Sequence, residues 1–256
     1  MLVLRSLVFS FAFYLTTAAF TIFGCPLLFG PRRYAMMGLK LHAKCCLWLL
    51  RTIVGMTLEV RGRQFIPAGA AIVASKHQSA WETFALIPLL PDPAMVMKAE
   101  LGWIPFYGWF AHKFGHILVS RARGPAALRR MIADAKNRAD ANRQIVIFPE
   151  GTRQVAGAQA NYKSGIIALY EGLNLPCVPV ALNSGAFWPR RSMMRFPGTI
   201  VVEFLEPLPS GLDRKTFRQT LEAHIETASA RLLTETHLSS TLKTYNETLT
   251  ERQANK

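Results

Sequence analysis

Gln144-Ile145-Val146-Ile147-Phe148-Pro149-Glu150-Gly151-Thr152-Arg153 is a short β-branched, apolar run that breaks into a turn and then into charge. A run of this kind without alternation reads as a strand buried on both faces, with Pro-Glu-Gly as its turn. Such a strand belongs to an α/β sheet, where ligands gather beyond the carboxyl ends of the strands. Arg153 offers a planar donor fork suited to phosphate, and Thr152 adds a hydroxyl. A tight turn with a surface Glu–Arg pair is the competing structural reading.

The same pattern repeats on both sides. Strands are expected at 57–61, 70–74, 94–97, 115–119, 144–148, 177–182 and 199–205, with helices at 81–90, 105–113, 125–142 and 163–172 between them. This alternation predicts an α/β domain over 57–210. Asp213 then opens an amphipathic helix with Phe217, Leu221, Ile225 and Leu232 down one side. That helix and a polar tail, frayed from Ser239, make up 211–256.

The expected strand 70–74 leads into Lys76-His77-Gln78-Ser79-Ala80-Trp81-Glu82-Thr83. A histidine at a strand end with a carboxylate nearby has the parts of a general base and its orienting partner. On one regular helix, residues five apart point about 140° away from each other. The pair therefore works only if His77 precedes the helix and Glu82 lies in its first turn. A structural reading competes: Ser79 and Glu82 form a capping box, and His77 is a half-buried histidine. Another candidate is Ser120-Arg121-Ala122-Arg123-Gly124, which reads as a phosphate clamp or as a solvated basic loop.

Before these motifs, Ser6 to Pro31 form 26 residues without a charge. About 20 apolar residues suffice to cross the hydrocarbon core. The apolar run continues past Ala18-Ala19, which is long for a cleaved signal peptide, so a retained anchor is expected. Arg32, Arg33, Lys40, Lys44 and Arg51 follow it against Arg5 alone before it, a bias that keeps the main body in the cytoplasm. The stretch 34–56 mixes those cations with Leu, Met and Trp. It reads as a helix in the headgroup region or as the return arm of a hairpin, and residues 1–56 as the membrane anchor.

Composition agrees. The chain has 256 residues, half of them hydrophobic and 18% charged, and its mean hydropathy is +0.18. That excludes a disordered chain and exceeds a typical soluble enzyme. Thirty Lys and Arg against sixteen Asp and Glu give a net charge of +14, which favours an anionic partner. Cys25, Cys45, Cys46 and Cys177 form neither a CxxC pair nor a zinc cluster. His112 and His116 are four apart, but Lys113 stands where the zinc-protease pattern needs Glu, so no metal is expected. No GxSxG, GxxxxGK[ST] or GxGxxG occurs. The basic set Arg129, Arg130, Lys136, Arg138 and Arg143 lacks interleaved aromatics, which argues against nucleic acid.

Taken together, the motifs resemble the glycerophospholipid acyltransferase family over roughly 57–207. Four ordered blocks carry the likeness: His77…Glu82; Gly115-His116-Ile117-Leu118-Val119-Ser120-Arg121; Phe148 to Arg153; and Val178-Pro179-Val180-Ala181-Leu182. Glu82 replaces the family's usual Asp, and Gln154 stands where Ser often follows the third block. Neither change removes a charge the mechanism requires.

The resemblance implies a mixed sheet with flanking helices behind an N-terminal apolar hairpin. It implies that His77 and Glu82 are catalytic and that an acyl group passes from a thioester to the sn-2 hydroxyl of lysophosphatidic acid. Arg121 and Arg153 would hold the acceptor phosphate, with Glu150, Gly151 and Thr152 shaping the glycerol pocket. No cofactor is expected; acyl-CoA or acyl carrier protein would be the co-substrate, and membrane lipids the surroundings. The expected location is a bacterial inner membrane with the catalytic domain facing the cytoplasm. Other acceptors, such as a lyso-ornithine lipid, a membrane-bound hydrolase, and a non-catalytic lipid-binding protein are the alternatives.

Overall fold

A computed structural model describes residues 1–120 and 124–236. Arg121 and the polar tail from Ser239 lie outside the described residues. Two helices open the chain. Helix α1 spans Leu2–Phe23 and α2 spans Arg32–Leu49, joined through a short turn at Cys25–Leu28. Thr17 Oγ1 lies 3.1 Å from His42 Nε2 across the pair, and a Cβ on Gly38 would meet Leu27 at 3.2 Å, so the two run antiparallel as a hairpin.

A mixed seven-stranded sheet follows, in the order β1-β7-β6-β2-β5-β3-β4. The strands are β1 Met56–Arg61, β2 Ala71–Ser75, β3 Pro93–Lys98, β4 Ile117–Val119, β5 Gln144–Ile147, β6 Cys177–Leu182 and β7 Gly198–Phe204. All neighbours pair parallel except β6 with β7. The connecting helices are α3 Glu82–Ala85, α4 Tyr107–Phe114, α5 Gly124–Asp140, α6 Ser164–Leu173 and α7 Ser184–Phe187, and α8 Arg214–Glu235 closes the described chain.

The two-residue period of the strands divides the core into layers. From β2 and β5, Val73 and Val146 face one side, where Phe9 of α1 and Ala43, Cys46 of α2 cover them. Ile72, Ala74, Ile145 and Ile147 face the other, against Met131 of α5, Leu169 of α6 and Phe217, Leu221 of α8. Burial on both faces is why these central strands are continuously apolar rather than alternating. The hairpin is thus one layer of the fold.

One expected element is broken. The helix at 81–90 stops at Ala85 and gives way to a tight turn at Ile87–Leu89. Pro88 has no N–H to donate and restricts Ile87 before it, so an α-helix cannot run through. Asp213 caps α8 as expected, its side chain accepting from the N–H groups of Lys215 and Thr216 at 3.0 Å each.

α1 is long and apolar enough to cross a membrane, but it is docked along its length. Phe9 stacks edge-on against Trp188 at 5.5 Å, and Ser6 Oγ accepts the Arg195 N–H at 3.0 Å. At the far end, Phe110 and Phe114 of α4 pack with Leu27 and Leu28 of the hairpin turn. The outer face remains bare, with Leu4, Phe11, Tyr14 and Phe23 exposed.

Candidate active site

Parallel neighbours end on the same edge of a sheet. Ala74 of β2 sits opposite Ile147 of β5, so the residues just beyond them, Lys76-His77 and Pro149-Glu150, emerge side by side. Ser75 also pairs with Val180 of β6, which brings the loop after β6 to the same place. Blocks separated by more than seventy residues in the chain thereby meet at three strand ends.

His77 lies before α3, and Glu82 is its first residue. His77 Nδ1 is 2.9 Å from Glu82 Oε1. The same oxygen accepts the N–H groups of Gln78 and Ser79 at 2.7 Å each. Oε2 accepts from Ser79 Oγ at 3.2 Å and from Ser184 Oγ at 2.8 Å. Ser79 Oγ in turn accepts from the Trp81 N–H at 2.8 Å. The backbone cap and the imidazole contact are therefore one network centred on Glu82. Because its oxygens face donors throughout, the proton sits on His77 Nδ1 and the Nε2 lone pair is left for a substrate. Phe148 stacks on the imidazole at 4.2 Å and fixes its plane. The side chain of His77 keeps 14% exposure while that of Glu82 has none. This is an imidazole that a ligand can reach, backed by a carboxylate that it cannot.

The third block supports the first. Gly151 turns the chain at φ 65°, a left-handed conformation that suits glycine, and its N–H reaches the Phe148 carbonyl at 2.9 Å. Glu150 is fully buried; Oε2 accepts the His77 N–H at 2.9 Å and Oε1 pairs with Lys76 Nζ at 2.6 Å. Burial pushes the Glu150 carboxyl above the usual carboxylate range, against the opposing pull of Lys76 and the His77 N–H. Glu150 thus grips the backbone under His77, with both oxygens occupied by protein groups. Gln154 N–H donates to the His77 carbonyl at 2.8 Å, holding the peptide on the other side of the His77 Cα. Thr152 is half-buried in the turn. Arg153 lines a cleft of about 250 Å³ together with Thr83 of α3 and Phe13 of α1.

Several supporting residues have no role in the sequence reading. Lys76 is buried at 2% exposure and also meets both Glu226 oxygens, on α8, at 2.8 Å. Tyr162 donates to Glu226 Oε1 at 2.9 Å. The Gln78 amide oxygen accepts the Gly185 N–H at 2.9 Å. Ser184 lies two residues beyond the fourth block and opens α7, and only the placement of β6 beside β2 reveals its bond to Glu82. Lys76 did carry a signal: a single cation closing an otherwise apolar strand.

Three of the remaining candidates, His116, Arg138 and Arg143, have partners within the fold. His116 is half-buried, accepts the Met95 N–H at 3.2 Å, and has its pKa lowered to about 3 by desolvation and by Arg143 and Arg138. Arg143 donates to the carbonyls of Pro93, Phe114 and Gly115, and Arg138 also reaches Gly115, so two of the basic residues on and after α5 are used internally. Among the described residues no group of His, Cys, Asp or Glu side chains is arranged to hold a metal.

Comparison with known proteins agrees with this architecture. The acyltransferase family matches residues 57–183. A 1-acyl-sn-glycerol-3-phosphate acyltransferase of Pseudomonas aeruginosa is 34% identical over 182 residues, covering 71% of this chain and 70% of that one. A mouse 1-acyl-sn-glycerol-3-phosphate acyltransferase alpha is 30% identical over 174 residues, 66% of this chain and 59% of its own. The crystal structure of the 1-acyl-sn-glycerophosphate (LPA) acyltransferase PlsC from Thermotoga maritima superposes with a TM-score of 0.76 at 21% identity, covering 91% of this chain and 98% of that one. That last likeness is one of fold.

Proposed function

The chain belongs to the acyltransferase family, and from that premise we propose that it transfers an acyl group from a thioester to the sn-2 hydroxyl of 1-acyl-sn-glycerol-3-phosphate, forming phosphatidic acid. The observation that carries the reading is the Glu82 network, which leaves the Nε2 of a reachable histidine as base. His77 takes the proton of the acceptor hydroxyl as its oxygen attacks the thioester carbonyl. Glu82 steadies the imidazolium that forms. The tetrahedral intermediate then expels the thiolate, which recovers the proton from His77. The acceptor is itself the nucleophile, so no acyl-enzyme forms.

In this reading Arg153, with Arg121, holds the acceptor phosphate. Gly151 and Thr152 shape the glycerol pocket, and Glu150 and Lys76 keep His77 in place. The thioester is supplied as acyl-CoA or acyl carrier protein, and no further cofactor takes part.

Membrane association follows the apolar hairpin, and we place it on the cytoplasmic face of a bacterial inner membrane. A helix of 22 residues is ~33 Å long. Its docking at both ends favours a hairpin lying in one leaflet over one that crosses. Exposed Trp103, Ile104, Phe106 and Trp109, beside the hairpin turn, extend the same lipid-facing surface.

The test supplies 1-acyl-glycerol-3-phosphate with a labelled acyl thioester, offered both as CoA and as acyl carrier protein. Wild type should form phosphatidic acid, and His77→Ala should lose roughly 10²–10⁴-fold in kcat while remaining folded. Folded wild type that makes no product with either donor would sink the assignment.

A further inference from the structure

The loop that joins α7 to β7 is built tightly and faces the site. The Phe196 N–H closes it on the Phe187 carbonyl at 2.9 Å. Arg195 lies 4.0 Å over the Trp188 ring and donates to the carbonyls of Ser192 and Met194. Ser6 of α1 receives its N–H. At the tip stands Arg191 with φ 58°, a left-handed conformation that a non-glycine side chain adopts only against strain. Arg191 lines the same cleft as Arg153. Arg190 is half-buried between Pro189 and Arg191, both of which line the cleft, and burial with the charges of Arg191 and Arg153 lowers its pKa.

Among the described residues, no hydrogen bond or ion pair is formed by the side chains of Arg153, Arg190 or Arg191, whereas the neighbouring carboxylates Glu82 and Glu150 are committed elsewhere. Like charges gathered in a partly desolvated cleft are unfavourable until an anion joins them. Phe9 and Phe13 of α1, with Phe84 and Trp188, give the same cleft an apolar part. The cleft therefore suits a molecule with a phosphate at one end and a hydrocarbon chain at the other.

We propose that Arg190 and Arg191 join Arg153 in a phosphate-binding site for the single-chain phospholipid acceptor, whose acyl chain lies along α1. This deepens the acceptor reading given above and rests on it. Arg190 and Arg191 are specificity residues: they select an acceptor that carries phosphate. The site also gives the lipid a route, because α1 is both a wall of the cleft and a membrane-facing surface.

The test uses the full-length chain in neutral detergent, with short-chain lysophosphatidate below its micelle-forming concentration and monoacylglycerol of the same chain as the phosphate-free acceptor. The double variant Arg190→Ala, Arg191→Ala should raise the KM for lysophosphatidate about tenfold or more. The donor KM and any transfer to monoacylglycerol should not change, and Arg191→Lys should recover part of the affinity. Circular dichroism melts of each variant show whether the fold is kept, and calorimetric binding of short-chain lysophosphatidate gives a readout without turnover. An unchanged KM and binding constant would overturn the proposal, as would a loss confined to binding of anionic vesicles, which would assign these arginines to surrounding headgroups. If wild type binds lysophosphatidate through these arginines but transfers nothing to it, the site stands and the enzymatic reading falls.

Discussion

Lys76 follows β2 directly, with its ammonium between Glu150 and Glu226, at 2.6 and 2.8 Å. An ammonium this deeply buried survives only with its charge partners in place. It ties the His77 loop to the Glu150 turn and to α8, three segments that share no local sequence. Replacing it by an apolar chain would leave Glu150 buried beside an empty position. Lys76→Met should therefore destabilise the fold by about 3–5 kcal/mol, read as a fall in the urea midpoint. Lys76→Met, Glu150→Gln should recover part of that loss, because the stranded charge is gone. Ser184 shows the same logic on a smaller scale: its hydroxyl meets Glu82 only because β6 lies beside β2.

At the scale of elements, the hairpin is fastened to the catalytic layer by polar contacts as well as apolar ones. Arg32 holds Asp92 through two bonds of 2.8 and 2.5 Å, and Lys40 donates to the carbonyls of Leu90 and Pro91. Lys113 of α4 reaches the Gly30 carbonyl. The cations read from sequence as an orientation signal thus also serve as clamps. Burial alone would raise the Asp92 carboxyl, but Arg32, Arg143 and Lys40 outweigh it and hold the group below its ordinary value of 3.8. A carboxylate lowered in the folded state contributes stability above its unfolded value and loses it as pH falls through the folded one. Asp92→Asn should cost about 1–2 kcal/mol at pH 7 after allowance for partial exposure. The gap between variant and wild type should narrow as pH falls below 3.8, and melting temperatures at pH 7 and pH 3 show the narrowing. A gap as large at pH 3 as at pH 7 would mean that the clamp is not electrostatic.

The whole molecule combines a net charge of +14 with a bare apolar face on α1 and exposed aromatics at Trp103 and Trp109. Cations near an anionic bilayer contribute about 1 kcal/mol each and are screened within a Debye length, whereas inserted aromatics are not. Binding to anionic vesicles should thus weaken as salt rises but level off above zero. Trp103→Ala, Trp109→Ala should lower that salt-resistant remainder in a flotation assay and leave the slope with salt unchanged. A remainder untouched by the substitutions would confine lipid contact to the hairpin.

Much of this was legible in the chain itself. The strand segments, the caps of α8, the apolar N-terminus and the pairing of His77 with Glu82 rest on local chemistry: β-branched runs, a capping aspartate, and a histidine placed before rather than on its helix. Pro88 was equally local, and its effect on α3 is the one break the periodicity concealed. Other features have no local signature. The roles of Lys76, Ser184 and Glu226, the meeting of Arg153 with Arg190 and Arg191, and the docking of α1 against Trp188 all depend on which strands lie side by side. Hydrophobic pattern and turn chemistry act between near neighbours in sequence, so the sequence by itself determined the elements and the type of chemistry. Side-chain contacts across parallel strands depend on sheet order and register, and those only the tertiary structure decided.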